Sequence, residues 1–416
     1  MAVKRILLMS PVNLSSNMAG PAIRYYHLYK ELKKHFDVKV IVPDLKGCII
    51  EEAAAPLTRQ GIIKYVKWAD VVIVQGTTLF HYPSISTKSK CLIVDLYDPF
   101  ILENLELRKN RKFGSILYDI DLEMLRKQLL KGDFFLCSNQ RQLDFWVGSL
   151  CMLGKIKLDN YSTFSKPSNI IAVVPMGISS APPTASPREI RSSLNLKDSD
   201  FLVTWAGGVW EWLDIESVLS AFELLSRRSD NIKLLIMGGE DNPHVKRFRD
   251  EHKLHENIIL TDWIPYEERE KYLLASDVGI IAHYDILETR YSHRTRVLDY
   301  IWSGIPVITT EGDYFADYVE KEQIGRTVRY RDPESIANTL LELSESPSIL
   351  AKMRSRINQV REEFFWENTL APLICFCKNP ITDPCRKQSK STAYYLLKLL
   401  LIQAKKKMKL YKRWKT

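Results

Sequence analysis

Residues 4–43, KRILLMSPVNLSSNMAGPAIRYYHLYKELKKHFDVKVIVP, set two short apolar runs around one longer amphipathic segment. KRILLMS at 4–10 and VKVIVP at 38–43 are nearly continuous apolar stretches of strand length, the pattern of strands covered on both faces of a parallel sheet. Between them AIRYYHLYKELKKHF, 22–36, spaces Ile23, Tyr26, Leu28 and Leu32 at roughly helical intervals. Strand, helix, strand in that order predicts a βαβ unit and an α/β fold built on a parallel sheet.

The same texture continues outward. DVVIVQG at 70–76, CLIVDLY at 91–97, FFLCS at 134–138 and IIAVVPMG at 170–177 read as further strands, and a proline- and serine-rich stretch, ISSAPPTASPRE at 178–189, then interrupts the pattern. Beyond it the alternation restarts with FLVTWAGG, the helix IESVLSAFELLSRR, IKLLIMGG, NIILTDWI, EEREKYLLASD, VGIIAHY, a helix containing TRVLDYIWSG, and PVITT. Two doubly wound domains are therefore expected, an N-terminal one over 1–177 and a C-terminal one over 199–365, joined by a linker at 178–198.

Composition narrows the function classes. Seven cysteines show no CxxC pair and no framework spacing, so a disulfide scaffold and a zinc site are both disfavoured and a reducing compartment is expected. No apolar run reaches 18 residues, and the N-terminal run is too short for a signal peptide. The formal charge of +9 is unevenly placed: residues 386–416 hold eleven Lys and Arg and no Asp or Glu, leaving the other 385 residues at −2. A near-neutral body argues against nucleic acid as partner. The tail, with its apolar start and basic end, reads either as an amphipathic element for an anionic membrane surface or as a solvated basic terminus.

In open α/β sheets ligands bind beyond the carboxyl ends of the strands. Four glycine-bearing or polar clusters follow such ends: 10–20, 95–98, 207–208 and 283–296. Two sheets facing one another would line a single cleft with all four. The strand-to-helix loops lack GxGxxG and the P-loop pattern, so nicotinamide and ATP chemistry have little support.

NMAGPAIRYYHLYKELKK at 17–34, VPMG at 174–177, IKLLIMGG, DWIPYEEREKYLLASDVGI and SGIPVITTEGD follow one another in an order and at a spacing that resemble the retaining GT-B glycosyltransferases of family 4, glycosyl transferases group 1. Within that family the chain is most similar to a bacterial branch with DLYDP, GGVWEWLD-like and ETRYSHRTRVLDY-like blocks. The resemblance covers about residues 3–380. It implies two Rossmann-like domains facing a central cleft, a nucleotide diphosphate-sugar held mainly by the second, retention of anomeric configuration, no metal, and a C-terminal helix at 366–385 crossing back. It also implies a saccharide or lipid-linked acceptor in cell-surface polysaccharide, lipopolysaccharide or glycolipid assembly, at the cytoplasmic face of the membrane. A nucleotide-sugar-binding protein without catalysis, and a GT-B nucleotide-sugar epimerase, are the alternatives.

Carried over residue by residue, the resemblance places Gly20 in the glycine position of the first loop and Asp299 on the ribose. Trp263 and Ile264 fall in the loop that cradles the base. Two positions depart from the pattern: Tyr291 stands where the first of two carboxylates belongs, and Gly208 and Trp212 stand near the places of the Arg and Lys that clamp the diphosphate. Glu288 is the substitute expected for the acid. Arg294 and Arg296, with the backbone N–H groups of Arg294 and Thr295 at the start of a helix, are the substitutes expected for the cations. Residues two apart on a helix do not share a face, so one arginine is expected on phosphate and the other on a carboxylate. Gly207 and Gly208 allow close approach of backbone to phosphate, or form a plain turn. Trp210 and Trp212 either stack on a ligand or pack the helix on the sheet. Asp98, or Asp95, is expected to receive or orient the acceptor hydroxyl proton, with Tyr97 a poor base at neutral pH; the alternative is that Asp98-Pro99 starts a turn.

Overall fold

A computed structural model of the chain describes residues 4–16 and 18–383. The tail at 386–416 lies outside the described residues. Two parallel sheets form the protein. The first runs β1 (Arg5–Met9), β2 (Asp37–Val42), β3 (Ala54–Pro56), β4 (Val71–Gln75), β5 (Cys91–Asp95), β6 (Phe134–Cys137) and β7 (Ile171–Val173), in spatial order β3-β2-β1-β4-β5-β6-β7. The second runs β8 (Phe201–Ala206), β9 (Ile232–Met237), β10 (Ile258–Leu260), β11 (Val278–Ile281), β12 (Val307–Thr310) and β13 (Gly325–Val328), in order β10-β9-β8-β11-β12-β13. β1, β4, β5 and β8 are buried along their whole length apart from the half-buried Arg5, which is why their sequences are apolar without alternation. The doubly wound architecture is the one expected from the sequence.

Two strands escape that reading. β3 and β13 are edge strands of three and four residues, AAP and GRTV, which bury too few side chains to leave an apolar run. Proline is tolerated at Pro56 because an edge strand need not donate to a neighbour.

The order of strands reverses between β1 and β4 in one sheet and between β8 and β11 in the other. Crevices open at such switch points, and both open toward the same space. The chain then crosses back: Ile178 and Phe365 form a parallel bridge, Ile178 N–H donating to Phe364 O at 2.7 Å and Trp366 N–H to Ile178 O at 3.1 Å. Gly177 is required there, since a Cβ would lie 2.7 Å from the Trp366 ring. After the crossing, Trp366 stacks on His27 at 4.6 Å and Phe376 on Phe134 at 3.7 Å. Asp383 ends the described chain in a buried ion pair with Lys155 at 2.6 Å and accepts from Asn160 at 3.2 Å. The first domain is thus completed by residues from the far end of the chain. Among the described residues no helix is long and apolar enough to cross a membrane.

Candidate functional site

The helix Thr295–Ser303 positions the site. Its Tyr300 ring lies flat against Gly279 of β11, where any Cβ would clash, and its hydroxyl meets Ala206 N–H at 3.1 Å, Thr204 O at 3.1 Å and Ile280 O at 3.0 Å. One side chain thereby pins the helix to the two strands that flank the switch point. Gly304, at φ 74°, closes the helix in the left-handed conformation that glycine favours. Arg294 is the N-cap and Thr295 the first helical residue, so the helix's unpartnered N–H groups begin at Thr295 and face the interdomain space.

That space is a cleft of about 450 Å³ between the sheets. Gly20, Tyr97, Asp98 and Glu103 line it from the first domain. Gly207, Gly208, Trp210, Trp212, Trp263, Ile264, Arg269, His293, Arg294, Thr295, Arg296 and Asp299 line it from the second. Of the site residues expected from the sequence, all but Glu288 and Asp95 reach the cleft wall.

The two arginines divide their tasks. Arg294 is nearly buried and makes a fork-to-fork pair with Glu288, at 2.8 and 2.7 Å, with Thr289 Oγ1 at 3.2 Å and Asp313 at 3.9 Å. Its two Nη groups are therefore turned to Glu288 and Thr289, while its Nε is buried without a hydrogen-bond partner and the residue lines the cleft. Glu288, 2% exposed, has both carboxylate oxygens on Arg294 and does not line the cleft. Asp95 is held in the same way by Arg24 at 2.7 and 2.9 Å with both side chains fully buried.

Arg296 differs. It donates to Gly208 O, lies 5.2 Å above the Trp205 ring and makes no ion pair with a carboxylate among the described residues, while its Nη1 is buried without a hydrogen-bond partner. Burial pulls the guanidinium down to about 10, which still leaves it cationic at neutral pH. Gly207, at φ 107°, makes room for it: a Cβ there would sit 3.2 Å from Arg296 Nε. The GG turn after β8 is thus fitted around one cation, where the sequence suggested a turn emptied of cations.

Asp299 is tied into the site's framework through one oxygen. Arg269 Nε donates to its Oδ1 at 3.0 Å, and the Arg269 guanidinium is sandwiched between Tyr266 at 3.7 Å and Trp302 at 4.7 Å. The carboxylate remains partly exposed to the cleft. Trp210 and Trp212 stack on one another at 5.9 Å, with Trp210 half exposed. Trp263 lies over Gly238, whose φ of 76° brings the turn after β9 under the indole.

On the opposite wall Asp98 is pushed up to about 6, chiefly by burial, with the charges of Glu288 and Asp95 adding and its hydrogen bond to Glu103 opposing. Glu103 is held well above the usual carboxylate range by burial and by Asp98, so the two share a proton. Asp313 is likewise pushed up to about 6 by burial. Sequence reasoning passed over Glu103, and over His293 as well. Both His293 nitrogens are buried without a partner, and burial lowers the ring to about 3, so it faces the cleft neutral. A histidine beside the helix-start arginines was the signal available for it.

Tyr291, in the place of the first acid, packs against Phe145 at 4.8 Å and gives its carbonyl to Gln142 Nε2 at 2.8 Å. Asn139 Nδ2 reaches Ser292 O at 3.1 Å, and Arg141 reaches Gly312 O at 2.6 Å and Asp317. The start of helix Gln140–Met152 thus grips the loop that precedes Thr295 from across the cleft. No cluster of three or more His, Cys, Asp or Glu suited to a metal ion is present among the described residues.

Comparison with known proteins finds likeness in the sequence of the second domain and in the fold. The family model for glycosyl transferases group 1 matches residues 200–346. Alpha-monoglucosyldiacylglycerol synthase of Streptococcus pneumoniae is 24% identical over 158 residues, which is 37% of this chain and 34% of the synthase. The matched stretch therefore spans about a third of that relative's length. Among solved structures, WaaG, a glycosyltransferase involved in lipopolysaccharide biosynthesis, superposes with a TM-score of 0.64 at 12% identity over 90% of this chain and all of its own. HepE of Anabaena, solved in complex with UDP-glucose, gives 0.62 at 14% identity over 89% of this chain and 98% of its own. Residues 200–346 thus match the glycosyl transferases group 1 family model, within a two-sheet fold of GT-B type.

Proposed function

We propose that the protein is a retaining glycosyltransferase that takes a sugar from a nucleotide diphosphate-sugar and gives it to a saccharide or lipid-linked acceptor in cell-surface polysaccharide or glycolipid assembly. The observation that carries this reading is Arg296: a part-buried cation whose Nη1 is buried without a hydrogen-bond partner, unpaired by any carboxylate among the described residues, fitted into a glycine turn at the free N–H end of a helix. Such a group awaits an anion, and a diphosphate supplies it. Asp299 lies on the same helix one turn on, where its partly exposed carboxylate can accept from ribose hydroxyls, and Trp263 and Ile264 present an aromatic face and backbone groups beyond. HepE, solved in complex with UDP-glucose, supports a sugar nucleotide as donor. WaaG, involved in lipopolysaccharide biosynthesis, and the streptococcal alpha-monoglucosyldiacylglycerol synthase support a polysaccharide or glycolipid as product.

Glycosyl departure builds negative charge on the leaving phosphate, and Arg296 with the helix N–H groups stabilises it in place. Asp98, with Glu103 holding the neighbouring proton, orients the acceptor hydroxyl from the opposite wall. No metal is needed in this scheme, and the basic tail holds the enzyme at the inner face of the cytoplasmic membrane. A thermal-shift series with UDP-, GDP- and dTDP-sugars tests the donor: one of them raises the melting temperature, and if none does the reading falls.

A second reading, nucleotide-sugar binding without transfer, is favoured by the mutual commitment of Glu288 and Arg294 and by Tyr291 in an apolar contact. Release of free nucleotide diphosphate from the stabilising donor separates the two readings, because a binding protein releases none.

A further inference from the structure

Helix Gln140–Met152 starts beside the cleft and runs back along the β7 edge of the first sheet to the other end of its strands, roughly 20 Å away. The ten residues at that far end hold three large side chains that the fold leaves in water: Met152 is 89% exposed, Leu158 94% and Tyr161 58%. Single exposed apolar residues are ordinary, but three so exposed within ten residues are not. Lys157, paired with Asp159 at 3.2 Å, and Lys166 lie close to them in sequence. The same edge is where the described chain ends, because Asp383 is seated on Lys155 and Asn160. From that point depart the residues that carry eleven of the chain's cations and no acid, with the apolar run YYLLKLLLI among them.

We infer that this edge is a second membrane-contact surface: Met152, Leu158 and Tyr161 enter an anionic lipid surface alongside the tail that leaves beside them. Exposed apolar side chains close in sequence to Lys157 and Lys166, on a body from which a basic segment departs, match the boundary between acyl chains and acidic headgroups in both chemistry and charge. The inference rests on the tail's membrane role proposed above and adds the part of the folded body that meets the lipid. The cleft lies at the other end of the domain, so this surface holds the protein and takes no part in the sugar site.

The full chain carries its own reporter position. Cys151 is exposed next to Met152; with Cys375 and Cys385 replaced by serine, it accepts an environment-sensitive dye. Vesicles of phosphatidylcholine with added phosphatidylglycerol are expected to shift that dye to the blue, and pure phosphatidylcholine to shift it much less. The double variant Met152→Ser, Leu158→Ser, whose side chains touch little of the fold, is expected to keep the melting temperature and to lose about tenfold or more in vesicle partition. Sedimentation with anionic vesicles without any dye shift, and without loss in the variant, overturns the inference and leaves the tail as the sole contact. A dye already blue without vesicles, and reddened by deleting 386–416, overturns it by showing that the tail covers the patch. Absence of any vesicle binding overturns it together with the tail's membrane role.

Discussion

At the scale of single residues the site turns on two arginines two positions apart with opposite duties. Arg296→Ala is expected to weaken binding of the stabilising nucleotide diphosphate by about 10- to 100-fold, as loss of charge-assisted hydrogen bonds does, while leaving the melting temperature almost unmoved. Isothermal titration with a parallel thermal scan reads both. Arg294→Ala is expected to do the reverse: it strands Glu288 and Asp313 in the interior and costs about 3–5 kcal/mol in denaturant unfolding. Pairing it with Glu288→Leu should recover part of that loss. The spacing of the arginines made this division legible, because neighbours two apart cannot face the same ligand. Which arginine took which duty was not legible, since Glu288 and Gly207 lie in different elements and only the fold sets them beside their partners. Glu103 and His293 stayed hidden for a related reason: a lone acid five residues after Asp98, and a lone histidine, carry no spacing that marks burial against a cleft.

At the scale of elements, the strands were legible wherever both faces are covered and the apolar run is continuous, and illegible at β3 and β13, where an edge buries one or two side chains. The helix Thr295–Ser303 could be placed from its periodicity and its closing glycine. Its attachment could not, because Tyr300 reads as one more core aromatic until its hydroxyl is seen to meet three backbone groups of β8 and β11. Tyr300→Phe keeps the ring on Gly279 and leaves those groups short of one partner, an expected loss of about 1–3 kcal/mol in chemical denaturation. Because that helix carries Thr295, Arg296 and Asp299, the same variant should also weaken donor binding, although Tyr300 itself lies behind the cleft wall.

At the scale of the whole molecule the facing of the two sheets was beyond periodicity, which reports burial and not what buries. Contacts that cross between domains settle it: the grip of Asn139, Arg141 and Gln142 on the 290–292 backbone, and His27, whose Nε2 lies 3.3 Å from the Tyr266 hydroxyl. Burial lowers His27 to about 3, so the unfolded chain takes up a proton below pH 6.5 that the folded chain refuses. Stability is therefore lost as pH falls from 6.5, by about 1.4 kcal/mol per unit for this one group. His27→Phe keeps the stack on Trp366, and its melting temperature should fall less than the parent's between pH 7 and pH 5. Asp98 and Asp313, pushed up to about 6, act in the opposite sense and should be unchanged in that comparison. The return of the chain at Ile178 and Phe365 bears on how the protein is made. The first domain leaves the ribosome first, yet Phe134, His27 and Lys155 wait for Phe376, Trp366 and Asp383, which emerge 242, 339 and 228 residues after them. A fragment ending at residue 182 should accordingly aggregate when expressed alone and become soluble when the remainder is co-expressed, because the first domain lacks its closing contacts until Asp383 has been translated.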